Sequence, residues 1–269
     1  MRCSIACKKF KIVNRILQKS LFDNNVISII LKYYWDDLDG KRKVLLSWID
    51  INKLNWSELS RNKNAIDLLL DNFDKINWNQ LSRNTNAIKL LESNFEKIKW
   101  YWLSGNKNAI KLLESNFEKI NWYRLSNNTN AIELLKNNID RTHPWMLSRN
   151  KNALQLIKNN RIIWSELSRN KNALSLLLDN FDKINWIYLS LNKNALSLLL
   201  DNFDKINWRY LSLNKNAIKL LESNFEKINF DNLSFNTNAI KLLENNIGEI
   251  NWFNISRNPS IFCDESMPI

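Results

Sequence analysis

Two sets of residues in this 269-residue chain have types and spacing suited to ligand chemistry. Arg61, Arg83, Arg149 and Arg169 each follow a Leu-Ser step, and Tyr101, Trp102, Tyr123 and Arg124 fall in the pair just before such a step. Guanidinium groups interleaved with tyrosine and tryptophan can contact phosphates and stack on bases, the chemistry of nucleic-acid binding. Further along, the equivalent places hold Ile187, Tyr188, Leu191, Tyr210, Leu213 and Phe235. Side by side these would form a contiguous apolar patch of the kind that marks protein contacts.

Groups that reactions need are scarce. One histidine, His143, removes most metal and acid–base chemistry from consideration. Cys3, Cys7 and Cys263 are an odd, sparse set. They imply no disulfide framework, and Cys3 with Cys7 would make a poor metal site. There is no Gly-rich phosphate loop and no convincing nucleophile–base pair. Carboxylates such as Asp74 and Glu96 recur once per repeat, which reads as turn chemistry. We therefore expect no enzyme, no metal and no cofactor.

The candidate residues are positioned by an internal repeat. Its Leu-Ser step falls at Leu59, Leu81, Leu103, Leu125, Leu147, Leu167, Leu189, Leu211 and Leu233, then as Ile255-Ser256. Every interval is 22 residues except that from 147 to 167, which is 20. The missing pair falls around Lys158-Asn159-Asn160-Arg161, and Pro144 replaces the preceding aromatic residue, so the fifth copy is irregular.

Within a copy the spacing predicts two short helices. Asn64 precedes Ala65, Ile66, Leu68 and Leu69, an apolar set at helical spacing, and reads as an N-cap. Asn86, Asn108, Asn130, Asn152, Asn172, Asn194, Asn216 and Asn238 take the same role. A shorter helix carries Trp78 and Leu81 and ends near Asn84, where asparagine can adopt a left-handed cap. Neither helix is long enough to be stable alone, so neighbouring copies must bury each other's apolar residues. Trp56, Trp78, Trp100, Trp122, Trp164, Trp186, Trp208 and Trp252 occupy one repeat position and read as inter-repeat core.

Composition agrees. Three glycines and three prolines are too few for a turn-rich sheet protein. The net charge of +12 is compatible with nucleic acid, an acidic protein or a membrane surface and selects none of them. Lys8, Lys9, Lys11, Arg15 and Lys19 form one dense patch. No signal peptide is evident, and the run Val26 to Leu31 is too short to cross a bilayer.

Units such as Ile76-Asn77-Trp78-Asn79-Gln80-Leu81-Ser82-Arg83-Asn84-Thr85-Asn86-Ala87-Ile88 resemble the uncharacterised 22-residue tandem repeats of nucleo-cytoplasmic large DNA viruses, which read Leu-Ser-x-Asn-Pro-Asn-Ala-Ile. The resemblance covers residues 51 to about 261. This chain puts Lys or Thr where those repeats have proline, and only Asn258-Pro259 keeps it. More distantly the pattern is similar to leucine-rich variant repeats, which implies a superhelix of alternating α and 3-10 helices. The resemblance implies a viral origin and carries no activity. Residues 21–33 faintly resemble the start of an F-box, which would imply a ubiquitin-ligase adaptor.

The sequence thus predicts an all-α fold, a right-handed α-solenoid of about ten two-helix repeats forming a rod or arc on the order of 90 Å long. Residues 1–50 would form a helical N-terminal cap, residues 51–269 the solenoid, with an irregular copy around 142–163 and a C-terminal cap at 252–269. The expected function is a non-enzymatic scaffold for protein–protein interaction, virion-associated or acting in the cytoplasm of an infected cell. A nucleic-acid-binding solenoid using the arginine and aromatic face is the alternative. Neither a membrane nor a small-molecule substrate is expected.

Overall fold

The computed structural model describes residues 42–157 and 161–264. The basic patch at 8–19, Cys3, Cys7 and the F-box-like segment lie outside the described residues. The described residues are mostly helical and hold 18 short α-helices in a regular pattern. Each regular copy holds a first helix, a second helix and a 3-10 turn, as in Trp78–Leu81, Ile88–Ser93 and Phe95–Lys97.

Local chemistry explains each element. The asparagine before the aromatic residue caps the first helix: the Asn77 side chain accepts from the Gln80 amide at 3.2 Å. The second helix has no such cap, since Ala87 occupies its N-cap position. The caps expected at Asn64, Asn86 and their equivalents are therefore corrected. These side chains reach back to the preceding copy instead, as when Asn108 Nδ2 donates to the Thr85 carbonyl at 2.9 Å. The left-handed asparagine at the end of the first helix is corrected too, because Asn62 and Asn150 are extended there.

Neighbouring copies are joined by a buried polar ladder. Asn106 Nδ2 donates to the carbonyls of Ser82 and Asn84 at 3.2 and 2.9 Å, while its oxygen accepts from the Asn108 amide. Ser104 Oγ donates to the Trp100 carbonyl and accepts from the Asn121 amide of the next copy at 2.9 Å. Buried backbone groups must be paired, and one asparagine and one serine per copy pair them between units. Around the ladder lies the apolar core, with Leu81, Leu103, Leu125 and their equivalents fully buried. Each such leucine contributes about 2–3 kcal/mol relative to exposure. The tryptophans pack against this core half-buried. Phe95 meets Trp100 edge-on at 5.5 Å, and Lys119 of the next copy lies over both rings.

The ladder does not stop at the first and last copies. The Asn55 amide donates to Ser256 Oγ at 2.8 Å, as the Asn77 amide does to Ser60 Oγ. Asn62 Nδ2 donates to the carbonyls of Ser256 and Asn258, both at 3.0 Å, and Asn64 Nδ2 to that of Pro259. Lys53 lies over the Trp252 ring just as Lys75 lies over Trp56. Every relation that joins two adjacent copies thus also joins the tenth to the first. The repeat array is a closed ring, and this corrects the open rod or arc expected from the repeat count. A strap reinforces the seam: β1 (Lys43–Leu45) pairs antiparallel with β2 (Phe262–Asp264), with Val44 opposite Cys263. Lys43 also forms an ion pair with Asp264, and Arg42 one with Asp71 at 2.6 Å.

Taper explains the curvature. First helices approach closely between copies one and two and from copy four to copy seven, and no successive second helices approach as closely. The first helices therefore line the inside and the second helices the outside. The irregular fifth copy keeps the ladder: Asn170 Nδ2 still reaches the carbonyls of Ser148 and Asn150 at 3.1 Å. Its shortening is absorbed elsewhere, where the 3-10 turn Leu154–Leu156 replaces a second helix.

Candidate functional site

Two positions of the first helix, three residues apart and so on one face, point into the ring. One is the residue just before Leu-Ser and the other the residue just after it. Their inward direction follows from the cavity they share, which Arg61, Arg83, Trp102, Arg124 and Arg149 line together, and the charges sense one another accordingly. Arg61 of the first copy feels Arg257 of the tenth and Arg124 of the fourth, and Arg83 of the second feels Arg149 of the fifth. Copies that are not neighbours along the chain thus share one lumen, since residues of the first five copies line a single cavity.

Within the lumen, Arg61, Arg83, Trp102, Gly105, Arg124, Asn127, Met146 and Arg149 enclose a chamber of about 170 Å³. The Trp102 ring lies against two guanidinium groups, those of Arg83 at 4.3 Å and Arg124 at 4.2 Å. None of Arg61, Arg83, Arg124 and Arg149 makes a side-chain hydrogen bond or ion pair with the described residues, and Arg124 Nε is buried without a partner. Burial is the main cause that pushes Arg61 down to about 9, with repulsion from Arg257 and Arg83 adding to it. Arg83 is pushed down to about 10 for the same reasons, burial first. Arg149 and Arg257 shift in the same direction, again chiefly through burial. Two acids share this wall: Glu58 and Glu166 are both buried, and Glu166 lies 3.7 Å from Arg169.

Adjoining the chamber at Asn127 and Arg149 is a wider mouth of about 360 Å³. Leu191 and Leu213 form part of its wall, and Lys151, Lys171, Lys193 and Lys215 rim it. These lysines stand where the resembling viral motif has proline. Lys215 senses Lys63, a member of the same series three copies away around the ring. Burial and then repulsion from other rim lysines lower both Lys151 and Lys215. One face of the ring is therefore a basic collar leading to the arginines.

The structure brings together Arg61, Arg83, Trp102, Arg124 and Arg149 around one chamber, with Arg169 at its mouth. Tyr101 and Tyr123 stand at the edge. Tyr101 is exposed beside the Arg124 guanidinium, and Tyr123 is half-buried with its ring against His143 at 4.8 Å. The expected apolar patch is divided. Ile187 is exposed on a position that does not face inward. Tyr188, Leu191, Tyr210, Leu213 and Phe235 occupy the lumen-facing positions, half-buried, with Tyr188 and Tyr210 in ring contact at 5.9 Å. Leu191 and Leu213 lie outside the apolar core.

Sequence reasoning missed Arg257, Glu58, Glu166 and the rim lysines as members of this site. Arg257 sits at the same repeat position as Arg61, but it belongs beside it only once the last copy adjoins the first. Among the described residues no cluster of His, Cys, Asp and Glu could hold a metal ion, and no helix is long and apolar enough to cross a membrane. No family model, curated protein or solved structure matches the chain.

Proposed function

We propose that this chain is a non-enzymatic binding ring whose lumen captures an anionic ligand. One observation carries the reading: Arg61, Arg83, Arg124 and Arg149 converge half-buried on one chamber with no ion pair of their own. Burying cations is costly; Glu58 and Glu166 on the same wall offset only part of that cost, and an anion that satisfies several guanidiniums at once offsets more of it. The lysine collar supports it by concentrating anions at the entrance. The motif resemblance supports a viral origin, with the ring acting in infected cytoplasm or in the virion.

The test is fluorescence anisotropy of purified protein against labelled single-stranded DNA, polyphosphate and an acidic peptide across a salt series. We expect at least one to bind in a salt-dependent way, and the triple variant Arg61→Gln/Arg83→Gln/Arg149→Gln to weaken it about 100-fold. Substituting Lys219 and Lys241 of outer helices with Gln serves as the control. Binding by none of the anions, or binding indifferent to the triple variant, overturns the reading.

A protein-scaffold role is the second reading, and a specific outer surface favours it. Leu178, Phe181, Leu200 and Phe203 of two adjacent copies are all exposed. The position of Leu178 and Leu200 holds Glu92, Glu114, Glu222 or Glu244 in other copies. Pull-down from cell lysate should lose any specific partner with Leu178→Glu/Leu200→Glu and keep it with the lumen variant. The opposite pattern would reject this surface.

A further inference from the structure

The lumen also says what shape of anion it fits. We propose that the chamber between Arg61, Arg83, Arg124 and Arg149 is a binding site for a compact, multiply phosphorylated small molecule, entered through the lysine collar. This rests on the anion-binding reading and narrows it, and it departs from the expectation that small molecules play no part.

Three observations favour a small phosphate-rich ligand over a nucleic-acid strand. First, the lumen's aromatic rings are occupied. Trp102 lies against the guanidiniums of Arg83 and Arg124, and Tyr188 and Tyr210 lie against each other. A base stacking there would have to displace one of these contacts, or that of Arg257 with the Phe235 ring, and stacking is what non-specific strand binding uses beside phosphate contacts. Second, the chamber is largely enclosed at about 170 Å³. Joined to its mouth of about 360 Å³ it falls in the roughly 300–1,000 Å³ range of small-molecule sites. Third, the cations converge from several directions, because they come from the first, second, fourth and fifth copies of a curved wall. A compact ligand with phosphates on several sides matches that arrangement, while a linear backbone presents its charges along a line. Guanidinium forks suit phosphate, and those stacked on Trp102 are held in place for it.

Isothermal titration calorimetry on the full chain tests this, with inositol hexakisphosphate and inorganic triphosphate as probes and a 20-nucleotide single strand as comparator. We expect one hexakisphosphate per ring, bound more tightly than the strand at 150 mM salt. Arg83→Gln and Arg149→Gln should each weaken it about tenfold. Both variants should keep the wild-type circular dichroism spectrum, because removing a charge relieves repulsion in the empty lumen. Arg83→Lys should recover only part of the affinity, since an ammonium lacks the fork. Strand binding without hexakisphosphate or triphosphate binding overturns this inference and leaves the anion-binding reading standing. Failure of all three probes overturns both. Hexakisphosphate binding that ignores Arg83→Gln and Arg149→Gln overturns the site.

Discussion

Ring closure predicts that a residue in the first copy matters as much as one in the middle. Asn128 in the fourth copy donates to the carbonyls of Ser104 and Asn106 at 3.1 and 3.0 Å and accepts from the Asn130 amide. Asn62 in the first copy makes the same three bonds, its two donor bonds reaching Ser256 and Asn258. Truncation to alanine removes three bonds, two of them buried, at about 1 kcal/mol each, so each variant should lose about 3 kcal/mol. For a chain of this size that lowers the melting temperature by about 6–12 °C. In an open array Asn62 would have no copy before it. Its two donor bonds would not exist, and the loss would shrink to about 1 kcal/mol for the local turn bond. Urea unfolding of Asn62→Ala and Asn128→Ala, followed by tryptophan fluorescence, compares the two. Equal losses are expected. A loss for Asn62→Ala of about 1 kcal/mol or less beside a loss of about 3 kcal/mol for Asn128→Ala would refute closure.

Three further outcomes follow from the same geometry. Val44→Cys, with Cys3 and Cys7 replaced by Ser, should oxidise to a disulfide with Cys263, its cross-strand partner. The product should be a protected loop of nearly the whole chain, migrating faster on a non-reducing gel. Ser104→Ala leaves the Asn121 amide without its buried acceptor and should cost about 1–3 kcal/mol in the same unfolding assay. The lumen arginines should also give a pH signature. A base whose folded pKa is lowered destabilises the fold while charged, and that cost fades as pH rises past the folded value. With Arg61 at about 9 and Arg83 at about 10, Arg61→Gln/Arg83→Gln should gain most over wild type below pH 9. The gain should shrink by pH 10.5, and a gain that is flat with pH would show that both guanidiniums keep their protons throughout that range.

The repeat, its buried leucines and the packing of its tryptophans were legible because they depend on residue type at a fixed period. Closure was not. Whether copies meet depends on the small rotation between neighbours, which the taper of each interface determines and no single residue announces. The error over Asn64 has a local cause. An asparagine before an apolar run satisfies the N-cap rule, yet the carbonyl of the preceding copy competes for its side chain and wins. The true cap, Asn77 ahead of Trp78, lies one element earlier. Variation among copies did point to the residues flanking Leu-Ser. What it could not give was an inside and an outside, because an open array has no lumen. Arg257 and Arg61 therefore read as opposite ends of a rod when they are neighbours.

The seam, bonded like every other junction, also bears on how such a gene can change. Tandem repeats gain and lose units readily when misaligned copies recombine, and an open array absorbs each change by growing or shrinking. Here a whole turn is divided among ten copies, so an added or deleted unit would leave a gap or an overlap shared by every joint. Selection on the fold would then hold the unit number constant while leaving the inward-facing residues free to diverge. The surviving two-residue deletion fits that rule, since the ladder across it is kept.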